Sequence, residues 1–93
     1  MTTPETTLRL RLYVTGQADL SSLAQKNLRE ILRTKFADRA VSVDTIDILK
    51  NPDVAIADRI IMTPLLRIVR ATDHVSLVGN LSDTDRVVRF LSD

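Results

Sequence analysis

The sequence predicts an α/β fold in a single small domain, and three observations carry that prediction. An alternating apolar run over 8–14 precedes a long helix-period run over 20–36, followed by a Val/Ile/Thr-rich run over 41–49. Asn51-Pro52 and Thr63-Pro64 bracket a short second helix. Beyond Pro64, two short apolar runs flank a polar turn and lead into a last helix-period segment. The order is strand-helix-strand, then helix-strand-strand-helix. At 93 residues the chain has room for one modest core, since a domain of this size buries roughly 60–65% of its unfolded surface.

Residues 1–6 read as a frayed tail and 7–93 as the domain. In the first strand Leu8, Leu10, Leu12 and Val14 alternate with Arg9, Arg11 and Tyr13, so one face is apolar and the other charged. Tyr13 is expected half-buried on the polar side, and Gly16 permits the sharp exit. Leu20, Leu23, Ala24, Leu28, Ile31, Leu32 and Phe36 then mark one helix over about 21–37. Ser21 or Ser22 is its expected cap, because Ser22 with Gln25 has the capping-box spacing. Val41 to Leu49 reads as the second strand, parallel to the first through a right-handed crossover.

Asn51 is a good N-cap and Pro52 suits the first helical position. Val54, Ala57, Ile60 and Ile61 are expected to supply that helix's apolar face, and the helix must end before Pro64. Leu65 to Arg70 and Val75 to Val78 form a hairpin around Ala71-Thr72-Asp73-His74, with His74 as an exposed turn residue. Gly79-Asn80 ends the last strand. Ser82 with Asp85 has capping-box spacing for a final helix carrying Val87, Val88, Phe90 and Leu91, although 87–91 would also suit a strand.

Composition excludes much chemistry. Cysteine is absent, which removes disulfides, thiolate metal sites and thiol redox cycles. One histidine and two glycines leave no His-rich metal site and no Gly-rich phosphate loop. Three aromatics are too few for a base-stacking platform. Thirteen basic and twelve acidic residues are evenly spread, unlike a nucleic-acid binder. Lys26, Arg29 and Arg33 read as a solvated helix face. No apolar run is long enough for a membrane span, and the polar start with Glu5 does not read as a signal peptide. No catalytic residue, metal site or cofactor is expected, and a cytoplasmic binding or regulatory module is the default.

A parallel βαβ half followed by an antiparallel ββα half is the thioredoxin-like arrangement, a central mixed sheet in which Thr63-Pro64 occupies the place of a cis-proline before the third strand. Several motifs then carry a family resemblance. Leu12-Tyr13-Val14-Thr15-Gly16 resembles the opening of the circadian clock protein KaiB family. Asp47-Ile48-Leu49-Lys50-Asn51-Pro52 is similar to its D-V-L-K-N-P. Ala55, Asp58, Ile60, Thr63 and Pro64 follow its A-x-x-D-x-I-x-x-T-P spacing, and Gly79-Asn80-Leu81-Ser82 resembles its G-D-L-S. The sensor domain of clock-associated histidine kinases such as SasA is similar.

The resemblance implies a non-enzymatic regulator that docks on a KaiC-type hexameric ATPase, with KaiA or a histidine kinase pathway involved indirectly. It also implies fold switching: a ground-state fold, usually tetrameric, rearranges the second half, whereas the thioredoxin-like state binds KaiC. The thioredoxin-like monomer is expected to dominate here. Asp58 and Arg59 are the expected partner-binding residues, Thr63 and Pro64 the fold-switch region, and Gly16, Asp47, Asn51, Pro52 and Gly79 the family positions. Arg70-Ala71-Thr72-Asp73 replaces the family's proline run, and Leu23, Asp44, Val75 and Ser76 replace basic residues. These departures point to a divergent paralogue with another KaiC-like partner or a stress-related role. An adaptor without such a partner is the alternative. An oxidoreductase is excluded, because Ala18-Asp19-Leu20-Ser21 stand where thioredoxin-like enzymes carry C-x-x-C.

Overall fold

Among the described residues seven elements follow one another in the predicted order: β1 (Leu8–Val14), α1 (Asp19–Lys35), β2 (Val41–Asp47), α2 (Pro52–Ala57), β3 (Leu65–Val69), β4 (His74–Val78) and α3 (Thr84–Ser92). They come from a computed structural model that describes residues 7–70 and 73–92. The sheet order is β2-β1-β3-β4. β1 runs parallel to β2, with Leu8 opposite Val41 and Val14 opposite Asp47. It runs antiparallel to β3, with Leu12 opposite Leu66 and Arg11 opposite Arg67, and β3 pairs antiparallel with β4.

The two-residue period of β1 divides the molecule into layers. Leu8, Leu10, Leu12 and Val14 join Leu66, Ile68 and Leu77 on one face, where Ala24, Leu28 and Ile31 of α1 and Val87 and Leu91 of α3 cover them. The opposite face carries Arg11, Tyr13 and Arg67, and the C-terminal end of α2 lies over it through Asp58. Tyr13 is fully buried there rather than half-buried, because Asp58 and Arg67 close over its ring and hydroxyl. Among the described residues no helix is long and apolar enough to cross a membrane.

Several element ends differ from the sequence expectation for identifiable reasons. α1 starts at Asp19 with Ala18 at the cap position and no side-chain cap bond. Ser21 is buried instead, its Oγ accepting the Thr15 N–H at 3.0 Å, so the hydroxyl holds the end of β1 rather than the helix. β2 stops at Asp47, since the Asp47 carbonyl accepts the N–H groups of Lys50 and Asn51 and turns the chain. Asn51 precedes α2, but its side-chain amide donates to the Asp47 carbonyl, so it too makes no cap bond. α2 has no fully buried residue: of the expected apolar face, Val54 and, past the helix, Ile60 are half-buried, while Ala57 and Ile61 face solvent.

In the hairpin, Arg70 lies just past β3, and His74 pairs with Val69 as the first residue of β4 rather than sitting in the turn. Residues 71–72 of the predicted turn, the tail over 1–6 and Asp93 lie outside the described residues. Ahead of α3 the capping carboxylate is that of Asp83, not the Ser82 hydroxyl. Asp83 Oδ1 accepts the Arg86 N–H, while the Ser82 N–H donates to Asn80 Oδ1. The 87–91 run is helical because Val87 and Leu91, one turn apart, both reach the core.

Leu12, 1% exposed at the centre of the sheet, sets the scale of core packing. Leu12→Ala is expected to lower the unfolding free energy by about 2–5 kcal/mol. Val43→Ala on the exposed edge of β2 should cost about 1 kcal/mol or less. Urea denaturation of both variants measures the contrast.

Candidate interaction surface

The pairing register gathers the loops into one end of the sheet. Val14 lies opposite Asp47, Tyr13 opposite Leu65 and Leu65 opposite Val78, so the segments after β1, β2 and β4 and the segment before β3 meet there. Gly16 turns the chain at φ +49°, and a Cβ at that position would lie 3.2 Å from Leu49 Cδ1. Asp47 Oδ1 accepts the N–H groups of Gly16 and Leu49, each at 3.0 Å. These two donors hold the Asp47 carboxyl below its ordinary value of 3.8. One carboxylate thus ties the β1–α1 turn to the β2–α2 turn.

The segment over 60–64 is fastened to the same frame. The hydroxyls of Thr15 and Thr63 share a hydrogen bond, and the Thr63-Pro64 peptide is cis. The Pro64 carbonyl accepts the Gly79 N–H at 3.0 Å, with Gly79 at φ +126°. Asn27 of α1 donates to the Asn80 carbonyl at 2.8 Å. Gly16, Asp47, Asn51, Thr63, Pro64 and Gly79 are therefore brought to one end of the sheet, where they shape backbone rather than present reactive groups. Among the described residues no three His, Asp or Glu side chains converge as a metal set.

Asp58 and Arg59 stand apart from this frame, at the far end of α2. Asp58 is the C-cap, and its carboxylate points inward: Oδ2 accepts the Tyr13 hydroxyl at 2.6 Å and Arg11 Nη1 at 3.3 Å. Its carbonyl accepts Arg67 Nη1 at 2.9 Å, and the Arg67 guanidinium sits 5.5 Å from the centroid of the Tyr13 ring. Burial, then the bond to Asp58, pushes the Tyr13 hydroxyl above its ordinary value of 10.0. Asp58 anchors α2 to the sheet.

Arg59 lies one residue past that cap, outside the helix, in the left-handed region at φ +57°. The Arg59 N–H donates to Ile56 and the Ile60 N–H to Ala55, a Schellman closure that usually has glycine at this place. A side chain there costs about 1–2 kcal/mol. Arg59 is exposed, and around it Ile56 is 76% exposed, Ile61 92% and Met62 59%. Large apolar side chains are here left in water beside a cation, an exposed patch of mixed character.

Sequence reading placed Ile61 on an inward helix face and gave Tyr13 and Asp58 separate roles. The signal for the exposed patch was Ile60-Ile61-Met62 between a helix end and Thr63-Pro64, too short a stretch to fold under. The Tyr13–Asp58 bond spans 45 residues and left no local signal.

Asp47 gives the surface a pH dependence of known sign. Its lowered pKa means that its contribution to stability is complete above the ordinary 3.8 and is lost as pH falls through the lowered value. Asp47→Asn is expected to lower the thermal midpoint at pH 7. The difference from wild type should shrink as pH drops below 3.8, a trend that circular-dichroism melts at stepped pH will measure.

Comparison with known proteins places these features. The KaiB domain family matches residues 11–92. The chain is 40% identical over 85 residues to the circadian clock oscillator protein KaiB of Prochlorococcus marinus (strain MIT 9313), covering 91% of this chain and 71% of that one. It is 40% identical to KaiB of Parasynechococcus marenigrum (strain WH8102), covering 91% of this chain and 81% of the relative. Among solved structures, the N-terminal domain of Synechococcus elongatus SasA superposes with a TM-score of 0.73 at 23% identity, over 98% of this chain and 88% of that one. Mitochondrial thioredoxin 3 of Saccharomyces cerevisiae superposes at 0.72 with 12% identity, over 91% and 76%. The fold is thioredoxin-like.

Proposed function

This chain belongs to the KaiB family, and from that premise we propose that it is a non-enzymatic regulatory protein that binds a KaiC-type hexameric ATPase through the surface formed by α2 and the segment over 59–63. The setting is cytoplasmic circadian or clock-like signalling, or a stress response built on the same parts, with KaiA or a histidine kinase pathway acting indirectly. The single observation that carries this reading is Arg59. An exposed arginine is held in a backbone conformation suited to glycine, beside three exposed apolar side chains. Strain of that kind clusters at ligand clamps and switch regions, and whereas Leu81 shares the conformation inside the core, Arg59 bears it on the surface. The absence of any thiol supports a binding role for the thioredoxin-like scaffold over a redox one.

The charge and the backbone of Arg59 make separable contributions. Arg59→Glu is expected to weaken a KaiC-type complex by more than about tenfold in surface-based binding measurements. Arg59→Gly should also weaken it, yet raise the unfolding free energy by about 1 kcal/mol. Arg29→Glu on α1 should leave binding unchanged. If Arg59→Glu is silent while Arg29→Glu abolishes the complex, the docking surface lies elsewhere. If no KaiC-type ATPase is retained at all, the adaptor reading prevails.

The binding-competent state in this proposal is the thioredoxin-like monomer. Solution NMR is expected to give helical shifts across 84–92, strand shifts across 65–69 and 74–78, and a monomer's tumbling time. A tetramer with an extended C-terminal segment would mean that the family's ground-state fold is the populated one.

A further inference from the structure

The sheet face opposite α1 and α3 carries a second feature, independent of the docking surface apart from Arg59 on its rim. A concavity of about 490 Å³ is lined by Arg11, Arg59, Arg67 and Arg70, with Asp58 and Asp73 as its carboxylates. Four guanidinium groups against two carboxylates leave it a formal charge of +2, in a chain whose total is +1. The four arginines come from β1, the end of α2, β3 and the residue after β3, so it is the tertiary fold that brings them together. We propose that this concavity binds a compact polyphosphate, an anion with two or more adjacent phosphoryl groups.

Two of the four arginines are held in place by the fold. Arg11 and Arg67 face each other across the β1–β3 register. Arg67 is held by the Asp58 carbonyl at 2.9 Å, by Ser76 Oγ at 3.0 Å and by the Tyr13 ring. Those bonds use two of its donors, and Arg11 uses one toward Asp58, so both guanidinium groups keep N–H groups for a ligand. The Asp58 carboxylate is committed to Tyr13 and Arg11 and does not fill the concavity with an internal ion pair to Arg67. Asp73 lies 3.8 Å from Arg70 at the exposed rim. Among the described residues Arg59 makes no ion pair.

Guanidinium forks match phosphoryl oxygens two at a time, which favours phosphate over isolated carboxylates. The volume lies within the range of small-ligand sites, roughly 300–1,000 Å³. The cations converge on one hollow rather than lining an edge strand, the geometry of a compact ligand and not of an extended acidic segment.

The test is calorimetric titration of the full chain with inorganic triphosphate at low and near-physiological salt, with amide shifts followed by NMR. One-to-one saturable binding is expected, with shifts centred on residues 11, 59, 67 and 70. Arg67→Gln and Arg70→Gln should each weaken it by about tenfold or more. The second sits at the exposed rim and leaves the Tyr13–Asp58 contact intact, so a folding defect in the first does not decide the matter. The control is the double variant Arg29→Gln, Arg33→Gln on α1, which removes the same kind of charge and should change affinity by no more than about twofold. ATP should bind at least as well as triphosphate, and orthophosphate more weakly. Four results would overturn the proposal: no saturation at millimolar triphosphate, an equal loss in the α1 control, tighter binding of a Glu-rich peptide of matched charge, or binding of ATP without triphosphate. None of these measurements involves a KaiC-type partner, so their failure is distinct from failure of the docking proposal.

Discussion

β1 is buried along one whole face and, on the other, at Tyr13, and the rest of the molecule is arranged around that constraint. Its even-numbered residues need an apolar cover, which α1 and α3 supply together. Its odd-numbered residues include Tyr13, whose hydroxyl cannot be buried without a partner. Asp58 provides that partner from 45 residues away, and in doing so fixes where α2 lies. A six-residue helix with no fully buried side chain has limited hydrophobic reason to stay on the sheet. The polar contacts from Asp58 to Tyr13, Arg11 and Arg67 are what hold it there.

This division of labour explains why the family positions look chemically inert. Gly16, Asp47, Asn51, Pro64 and Gly79 serve backbone geometry at one end of the sheet, through positive φ, carboxylate-to-amide bonds and the closure of β3 on β4. What they produce is a shaped edge and a short connection, 60–64, whose Ile61 and Met62 remain in water. Few buried contacts and an attachment made of polar bonds place α2 and this connection toward the low end of local stability.

The electrostatics follow from the same layering. With α1 and α3 on one side, among the described residues only the short α2 covers the other, and the open part of that face keeps the charged residues that the two-residue period assigns to it. Arg11 and Arg67 are neighbours because β1 and β3 pair in this register; a shift by one residue would place each opposite a leucine or isoleucine. A nearly neutral chain thereby acquires a local excess of positive charge.

The sequence by itself determined the element order, the parallel first half and the hairpin. Those features rest on signals a few residues long: the alternation over 8–14, the helical period over 20–36, and the prolines at 52 and 64. The tertiary structure decided what each polar side chain does. Ser21 and Ser82 have the spacing of caps, yet Ser21 serves the end of β1 and Asp83 caps α3, because a hydroxyl or carboxylate bonds whichever amide the fold brings nearest. Asp58 could not be assigned to Tyr13, nor Arg11 grouped with Arg67 and Arg70, before the strands were paired. Ile61 read as part of an apolar helix face and is the most exposed of the large apolar side chains, since burial depends on whether another element arrives to cover a residue, and among the described residues none does here.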